Sequence, residues 1–271
     1  MLVSLATESA RHDADNEDFV GATPNALVLL DGAGSAGADS GCLHGVAWYS
    51  RQLGATLLGE LAAPRASTLQ HVLRQSIADV TSRHGGCCDI THPGTPSATV
   101  LITRVRDGVL EYLVLADSVL VIETTRGVKA ISDGREASVG DRYRHALEAS
   151  PTGSPEHAQA LQDYITAMRS HRNQPGGFWV ASVEPAAADE ALSGEIPASD
   201  IRALALLSDG AGRLADPFGL ADWPEILRIL DEEGPRRLVR QTREAELTDQ
   251  DRMRWPRGKV HDDATAAYVR I

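Results

Sequence analysis

Apolar runs far apart in this chain end at, or open from, a carboxylate. Val28-Leu29-Leu30 leads into Asp31-Gly32, and Leu206-Leu207-Ser208 leads into Asp209-Gly210. Asn16-Glu17-Asp18 stands near the start, and Asp262-Asp263-Ala264-Thr265 opens the last apolar run. A fold that lays such runs side by side gathers hard oxygen donors at one point. Donors of that kind suit Mg²⁺ or Mn²⁺ rather than zinc. They direct attention to metal-assisted attack on a phosphorus centre.

The intervening pattern sets the fold class. Residues 1–8 alternate apolar and polar, and residues 26–31 form a short apolar run, so both read as strands. Residues 32–37 are too small and flexible for regular structure and read as a loop. Leu43, Val46, Leu53, Leu57 and Leu61 recur at helical spacing over 42–61. Leu69, Val72, Leu73, Ile77 and Val80 do so over 67–84, with Ser67 as the expected cap and Pro64 between the two helices. Strands follow at 98–104, 110–116 and 119–123, with Asp107-Gly108 as a hairpin turn, and another at 128–132. A helix is expected at 155–171, strands at 178–181 and 201–208, helices at 222–233 and 235–247, and a closing strand at 264–271. Strands and helices come in blocks without strict alternation. That order predicts an α+β fold, with an antiparallel β-sandwich flanked by helix pairs on both faces in four layers, αββα, as a single domain over 1–271.

Bulk composition narrows the partners. The 271 residues carry 38 acidic against 26 basic side chains, a net charge of −12. Such a surface argues against nucleic acid or an anionic membrane. No apolar run reaches the roughly 18 residues of a membrane span. The start of the chain lacks the basic and long apolar stretches of a signal peptide. Cys42, Cys87 and Cys88 are an odd set with no Cys-x-x-Cys spacing. They are read as free thiols of a reducing cytoplasm, the vicinal pair being two semi-buried side chains.

At the acidic positions the chain resembles the metal-dependent, type 2C protein serine/threonine phosphatases. Asn16-Glu17-Asp18 is similar to the family's opening acidic motif, and Asp31-Gly32-Ala33-Gly34 to its Asp-Gly-x-Gly loop. Ser97-Ala98-Thr99-Val100 and Leu115-Ala116-Asp117-Ser118 resemble its paired central strands. Ser208-Asp209-Gly210 and Asp262-Asp263-Ala264-Thr265 resemble its last two motifs. Any one tripeptide is weak; five in order across nearly the whole chain are specific. The resemblance implies a phosphoprotein phosphatase with two Mg²⁺ or Mn²⁺ ions. Asp31 would bridge them, Asp209 and Asp262 would complete one, and Glu17 with the Gly32 carbonyl would hold the other. Asp117 would serve a possible third ion, and Asp18 would orient the attacking water. A phosphorylated protein is the implied substrate; the alternatives are a catalytically weak relative that uses the fold for binding or regulation, which Asp13 and Ala33 favour, and a phosphatase of a small phosphorylated metabolite.

Three positions depart from the family pattern. Where many relatives have an arginine that grips phosphate, this chain has Asp13, with Arg11 two residues upstream. Where some have a histidine after Asp-Gly, it has Ala33, leaving a metal-bound water or another side chain, with His44 and His12 as candidates, to protonate the leaving group. Where an aspartate usually follows the Asp209 position by four residues, it has Arg213, a cation that would repel a third ion but could bind phosphate. Arg172, in a flexible basic and aromatic segment, is a second candidate for the phosphate grip. The basic run Trp255-Pro256-Arg257-Gly258-Lys259 is a candidate rim of the pocket.

Overall fold

The computed structural model describes residues 2–34, 40–63, 67–150 and 154–270. The chain opens with β1 (Leu2–Glu8), β2 (Phe19–Ala22), β3 (Ala26–Leu30) and β4 (Gly32–Ala33). Helices α1 (Val46–Ala62) and α2 (Leu69–Ser82) follow, then β5 (Ser97–Ala98), β6 (Val100–Arg106), β7 (Val109–Leu115), β8 (Val119–Thr124) and β9 (Gly127–Ile131). Next come α3 (Arg135–Glu148), α4 (Pro155–His171), β10 (Leu192–Pro197) and β11 (Ile201–Leu207). The chain closes with α5 (Asp209–Gly212), α6 (Trp223–Glu232), α7 (Pro235–Leu247) and β12 (Ala264–Arg270).

Two antiparallel five-stranded sheets result, ordered β1-β12-β11-β8-β9 and β10-β7-β6-β3-β2, with β4 and β5 as a small separate ladder. The strands at their centres are apolar on both sides because both sides are covered. In β3, Leu27 and Leu29 face the second sheet, while Val28 and Leu30 join the cluster under α1 and α2. In β11, Leu204 and Leu206 point into the sandwich, and Ala203, Ala205 and Leu207 pack under α6 and α7. Burial on this scale makes a Leu29→Ala cavity cost about 2–5 kcal/mol. The predicted αββα layering is the observed one. A further helix pair, α3 with α4, packs at the end of the sandwich through Val139, Met168, Phe178 and Val180.

Strand order then places the acidic positions. β11 ends beside the start of β12, with Leu207 opposite Ala266, and β1 ends opposite Ala264. β7 ends at Leu115 opposite Val100, and β8 begins at Val119 opposite Leu207. The segments holding Asp31, Asp117, Asp209 and Asp262 therefore leave the sheets at one end.

Several elements differ from the sequence expectation. Helix α1 begins at Val46, and Leu43, expected on its apolar face, is 83% exposed. Thr68, not Ser67, caps α2, accepting from His71 N–H at 3.2 Å. Residues 178–181 make isolated bridges (Ala98 to Ala181, Arg172 to Phe178) instead of a strand. β2, β10, α3 and the short α5 have no counterpart in the sequence expectation. β10 is a half-polar edge strand ending in Pro197, and α3 offers too few apolar residues for a periodic stripe. Of the loop expected over 32–37, Gly32 and Ala33 form β4 paired with β5, while residues 35–37, Pro64 and the strand end at Ile271 lie outside the described residues. Among the described residues no helix is long and apolar enough to cross a membrane.

Candidate metal centre

Asp31 follows the last residue of β3, and its backbone is pinned there. Its N–H donates to Thr99 Oγ1 at 3.2 Å, its carbonyl accepts from Thr99 N–H at 2.9 Å, and Thr99 Oγ1 bonds Ser118 Oγ at 2.6 Å. From the other sheet, the N–H of Asp209 donates to Asp31 Oδ2 at 3.2 Å, at the first residue of α5. Gly32 is required by close approach. A Cβ there would meet the Glu17 carbonyl oxygen at 2.4 Å and Val46 Cγ1 at 2.6 Å. Ala116, just before Asp117, holds a positive φ of 68°, a strained conformation that turns the chain from β7 into β8.

Electrostatics show the convergence. Burial first, then the charges of Asp18, Asp209, Asp117 and Asp262, push the Asp31 carboxyl well above the usual range. Burial followed by Asp262 and Asp117 pushes Asp209 up to about 6, although the residue as a whole is exposed. Burial, then Asp133 and Asp262, raises Asp117 against the lowering by its own backbone. Glu17 is raised by burial, with Lys259 lowering it and Asp263 and Asp262 raising it. Carboxylates crowded this way repel one another until a cation intervenes.

Asp18 carries the clearest signal. It is buried, and neither carboxylate oxygen has a hydrogen-bond partner. The hydroxyls of Thr265 and Ser208 lie near enough to lower its pKa; the first also bonds Thr7 Oγ1 at 2.6 Å, and the second also accepts from Thr265 N–H at 2.9 Å. Burial outweighs them and pushes Asp18 up to about 7. A buried carboxylate without a hydrogen-bond partner, among the carboxylates of Glu17, Asp31, Asp117, Asp209 and Asp262, fits a site made for hard divalent ions.

Two residues without an assigned role complete the cluster. Asp263 accepts from Ala10 N–H at 2.7 Å and from Glu17 N–H at 2.6 Å, so it positions the loop that carries Glu17 and Asp18. Glu136, on α3, is pushed up to about 8 by burial and then by Asp117 and Asp209, with Arg172 opposing. No motif marked Glu136, because it follows an ordinary Asp-Gly pair, Asp133-Gly134.

The cations are distributed differently from the sequence expectation. Arg213 is not available to phosphate. Its side chain is 6% exposed and bonds Glu246 at 2.5 Å and Asp262 at 3.3 Å, so the buried Glu246 carboxylate draws it inward. Arg257 is likewise buried against Asp249 at 2.6 Å. Lys259 is the exposed cation of that basic run, with its ammonium 2.8 Å from Asp262 Oδ1. Arg172 donates to the Thr95 carbonyl at 2.9 Å and to Thr95 Oγ1 at 3.0 Å. It shares a cavity of about 210 Å³ with Ala33, Gly34, Ser97 and Glu136. Arg11 pairs with Asp13 at 3.6 Å on the surface, and His12 is exposed. His44 is turned to the cysteines, with Nδ1 3.4 Å from Cys88 Sγ and its ring stacked on Trp48. Cys87 is exposed rather than semi-buried, while Cys42 and Cys88 are partly buried, and all three are free thiols.

Comparison with known proteins places this geometry. The family model for protein phosphatase 2C matches residues 7–249. No curated protein matches the chain. Among solved structures, PppA, described as a key regulatory component of T6SS in Pseudomonas aeruginosa, is similar at 18% identity and TM-score 0.59, covering 99% of this chain and 96% of its own. The Mycobacterium tuberculosis serine/threonine phosphatase PstP/Ppp is similar at 16% identity and TM-score 0.58, covering 100% and 98%. The catalytic domain of PstP in complex with two manganese ions is similar at 16% identity and TM-score 0.55, covering 98% and 96%. These likenesses show the fold, and the family match shows the kinship: the chain belongs to the protein phosphatase 2C family, as a metal-dependent protein phosphatase.

Proposed function

We propose that the protein hydrolyses phosphoserine or phosphothreonine in a phosphorylated protein substrate, using Mg²⁺ or Mn²⁺ at the acidic end of the sandwich. The orphaned, buried Asp18 carboxylate beside Asp31 carries this reading. Asp31, Asp209, Asp262, Glu17 and the Gly32 carbonyl would hold the ions, and Asp117 would serve a further one. When bound, such ions lower the pKa of water and offset phosphoryl charge.

The chain's own groups do the rest. Asp18, with Oδ1 and Oδ2 unpartnered, accepts a hydrogen bond from the attacking water and orients it. Asp263 keeps Glu17 and Asp18 in register through the Glu17 N–H. Lys259 at the cleft rim and Arg172, braced by Thr95, meet the phosphate oxygens in place of the absent arginine. Glu136 lines the same cavity as Ala33. Its carboxyl is pushed up to about 8, so it carries the proton that the leaving serine or threonine oxygen needs and that no histidine at position 33 supplies.

Residues 1–271 act as one unit in this reading, supported by the pairing of β1 with β12. Free thiols support a cytoplasmic location. The net charge of −12 supports a protein rather than a nucleic acid or membrane as substrate. The test is phosphate release from phosphoserine and phosphothreonine peptides with Mg²⁺, with Mn²⁺ and with chelator. Ion-dependent release supports the reading; equal release with and without ions overturns it.

A further inference from the structure

A second, chemically different cluster lies away from the carboxylates. Cys42, His44, His84 and Cys88 each offer one ligand atom, all within 4.8 Å of one another. The Sγ atoms of Cys42 and Cys88 are 3.7 Å apart, and His44 Nδ1 lies 3.7 Å from the first and 3.4 Å from the second. A tetrahedral zinc ion with Zn–S near ~2.3 Å and Zn–N near ~2.05 Å requires edges of about 3.8 Å between sulfurs and about 3.5 Å between sulfur and nitrogen. The three separations among Cys42, Cys88 and His44 meet those edges, and the fourth ligand atom, on His84, lies within 4.8 Å of the others. They are far from the ~2.05 Å of a disulfide.

The surroundings are those of a ligand set. His84 is buried, and its Nδ1 faces the Thr81 carbonyl at 3.2 Å. A carbonyl can only accept, so Nδ1 carries the proton and Nε2 keeps its lone pair for an ion. The N–H of Leu43 donates to Cys88 Sγ and that of His44 to Cys42 Sγ, each at 3.4 Å, the bonds that favour thiolates. Trp48 stacks on His44 with centroids 4.2 Å apart and meets His84 edge-on at 5.1 Å, walling off one side. Asp89 N–H donates to the Gly41 carbonyl at 2.8 Å, tying the two segments together. The sequence signature is Cys-x-His followed by His-x3-Cys.

We propose that Cys42, His44, His84 and Cys88 bind one structural Zn²⁺ ion. Two thiolates and two imidazoles are soft and borderline donors that select zinc over Mg²⁺ or Mn²⁺. Four protein ligands close the tetrahedron, leaving no position for water or substrate, so the ion does no chemistry. It joins the end of α2 to the turn that starts α1. That turn lacks a side-chain cap, and Val46, the first helical residue, packs on Gly32 and Gly34 of the acidic loop. The ion therefore holds the wall of the phosphatase centre without entering it.

Zinc content and Co²⁺ spectra of the purified, reduced full chain test this independently of turnover. Thiolate-to-cobalt charge transfer appears only when sulfur ligates, so ions in the carboxylate centre do not contribute. The wild type, Cys87→Ser and Asp31→Asn are expected to hold about one zinc per chain that chelator removes slowly and a mercurial releases, and to give the thiolate–cobalt band. Cys88→Ser and His84→Ala are expected to lose that zinc, with Tm lower by about 5 °C. Should those variants not fold, the wild-type cobalt band and mercurial-released zinc decide alone. Absence of the band in reduced wild type, or unchanged zinc in a folded Cys88→Ser, overturns the proposal.

Discussion

The backbone N–H of Asp209 donates to the carboxylate of Asp31 across 3.2 Å, joining positions 178 residues apart and strands of opposite sheets. That contact closes the acidic end of the sandwich. It brings the ends of β3 and β11 to one meeting point. Gathering like charges raises their proton affinity, and the centre is stable only when protons or cations offset them.

The metal-free protein is predicted to lose stability as pH rises from about 4 to about 7. Asp18 is held at about 7 in the fold, against an unfolded carboxyl near ~3.9, so the folded state binds the extra proton in this window and stability falls with increasing pH. Mn²⁺ should restore it. Asp18→Asn should flatten the metal-free profile, adding on the order of 2 kcal/mol at pH 8 once sharing with Asp31 and Asp209 is discounted, while lowering turnover. Denaturant titrations across pH check this; a wild-type stability that rises over that window without metal contradicts it.

Lys259→Ala should raise KM for a phosphopeptide about 10-fold, the loss of one charged contact to phosphate. The same change frees Asp262 from an exposed ion pair, so the apparent Kd for Mn²⁺ should tighten about 2–5-fold. A weaker metal affinity in this variant would assign Lys259 to site architecture instead.

Leaving-group chemistry isolates Glu136. Glu136→Gln should lower kcat on phosphoserine peptides roughly 10²-fold, the scale of general acid catalysis. On p-nitrophenyl phosphate, whose leaving group departs as an anion, the effect should be under about 3-fold. Equal losses on both substrates would remove the proton-donor role.

Gly210→Ala tests how tightly the two last motifs are packed. A Cβ at 210 would lie 2.0 Å from the Asp263 carbonyl oxygen, so backbone must shift. The expected cost is about 2–3 kcal/mol with weakened Mn²⁺ binding, read by thermal melts and calorimetry. Gly212→Ala, whose Cβ meets nothing within 4 Å, is the matched control.

Much of the fold was legible because buried strands and amphipathic helices advertise themselves. β3 and β11 are apolar on both faces, and α4, α6 and α7 start at Pro155, Trp223-Pro224 and Pro235 beside recognisable caps or breaks. The carboxylates were legible because each stands just after or just before a strand. β10 was not, since an edge strand with one wet face has little pattern to show. Glu136 was hidden because its role comes from where α3 packs, not from a motif. Arg213 looked available because its partner Glu246 lies 33 residues on, in α7. The thiols were read apart from the histidines; Cys42-x-His44 and His84-x3-Cys88 together carried the signal that cysteine spacing alone lacked.

The central claim, that Glu17, Asp31, Asp209 and Asp262 share a pair of divalent ions, is tested most directly by anomalous diffraction from crystals soaked in Mn²⁺, with Asp31→Asn alongside. The account predicts two peaks about 3.5–4 Å apart on either side of the Asp31 carboxylate in the wild type, at least one of them lost in the variant. Manganese absent from this cluster at saturating concentration, or peaks that persist unchanged in Asp31→Asn, would contradict it.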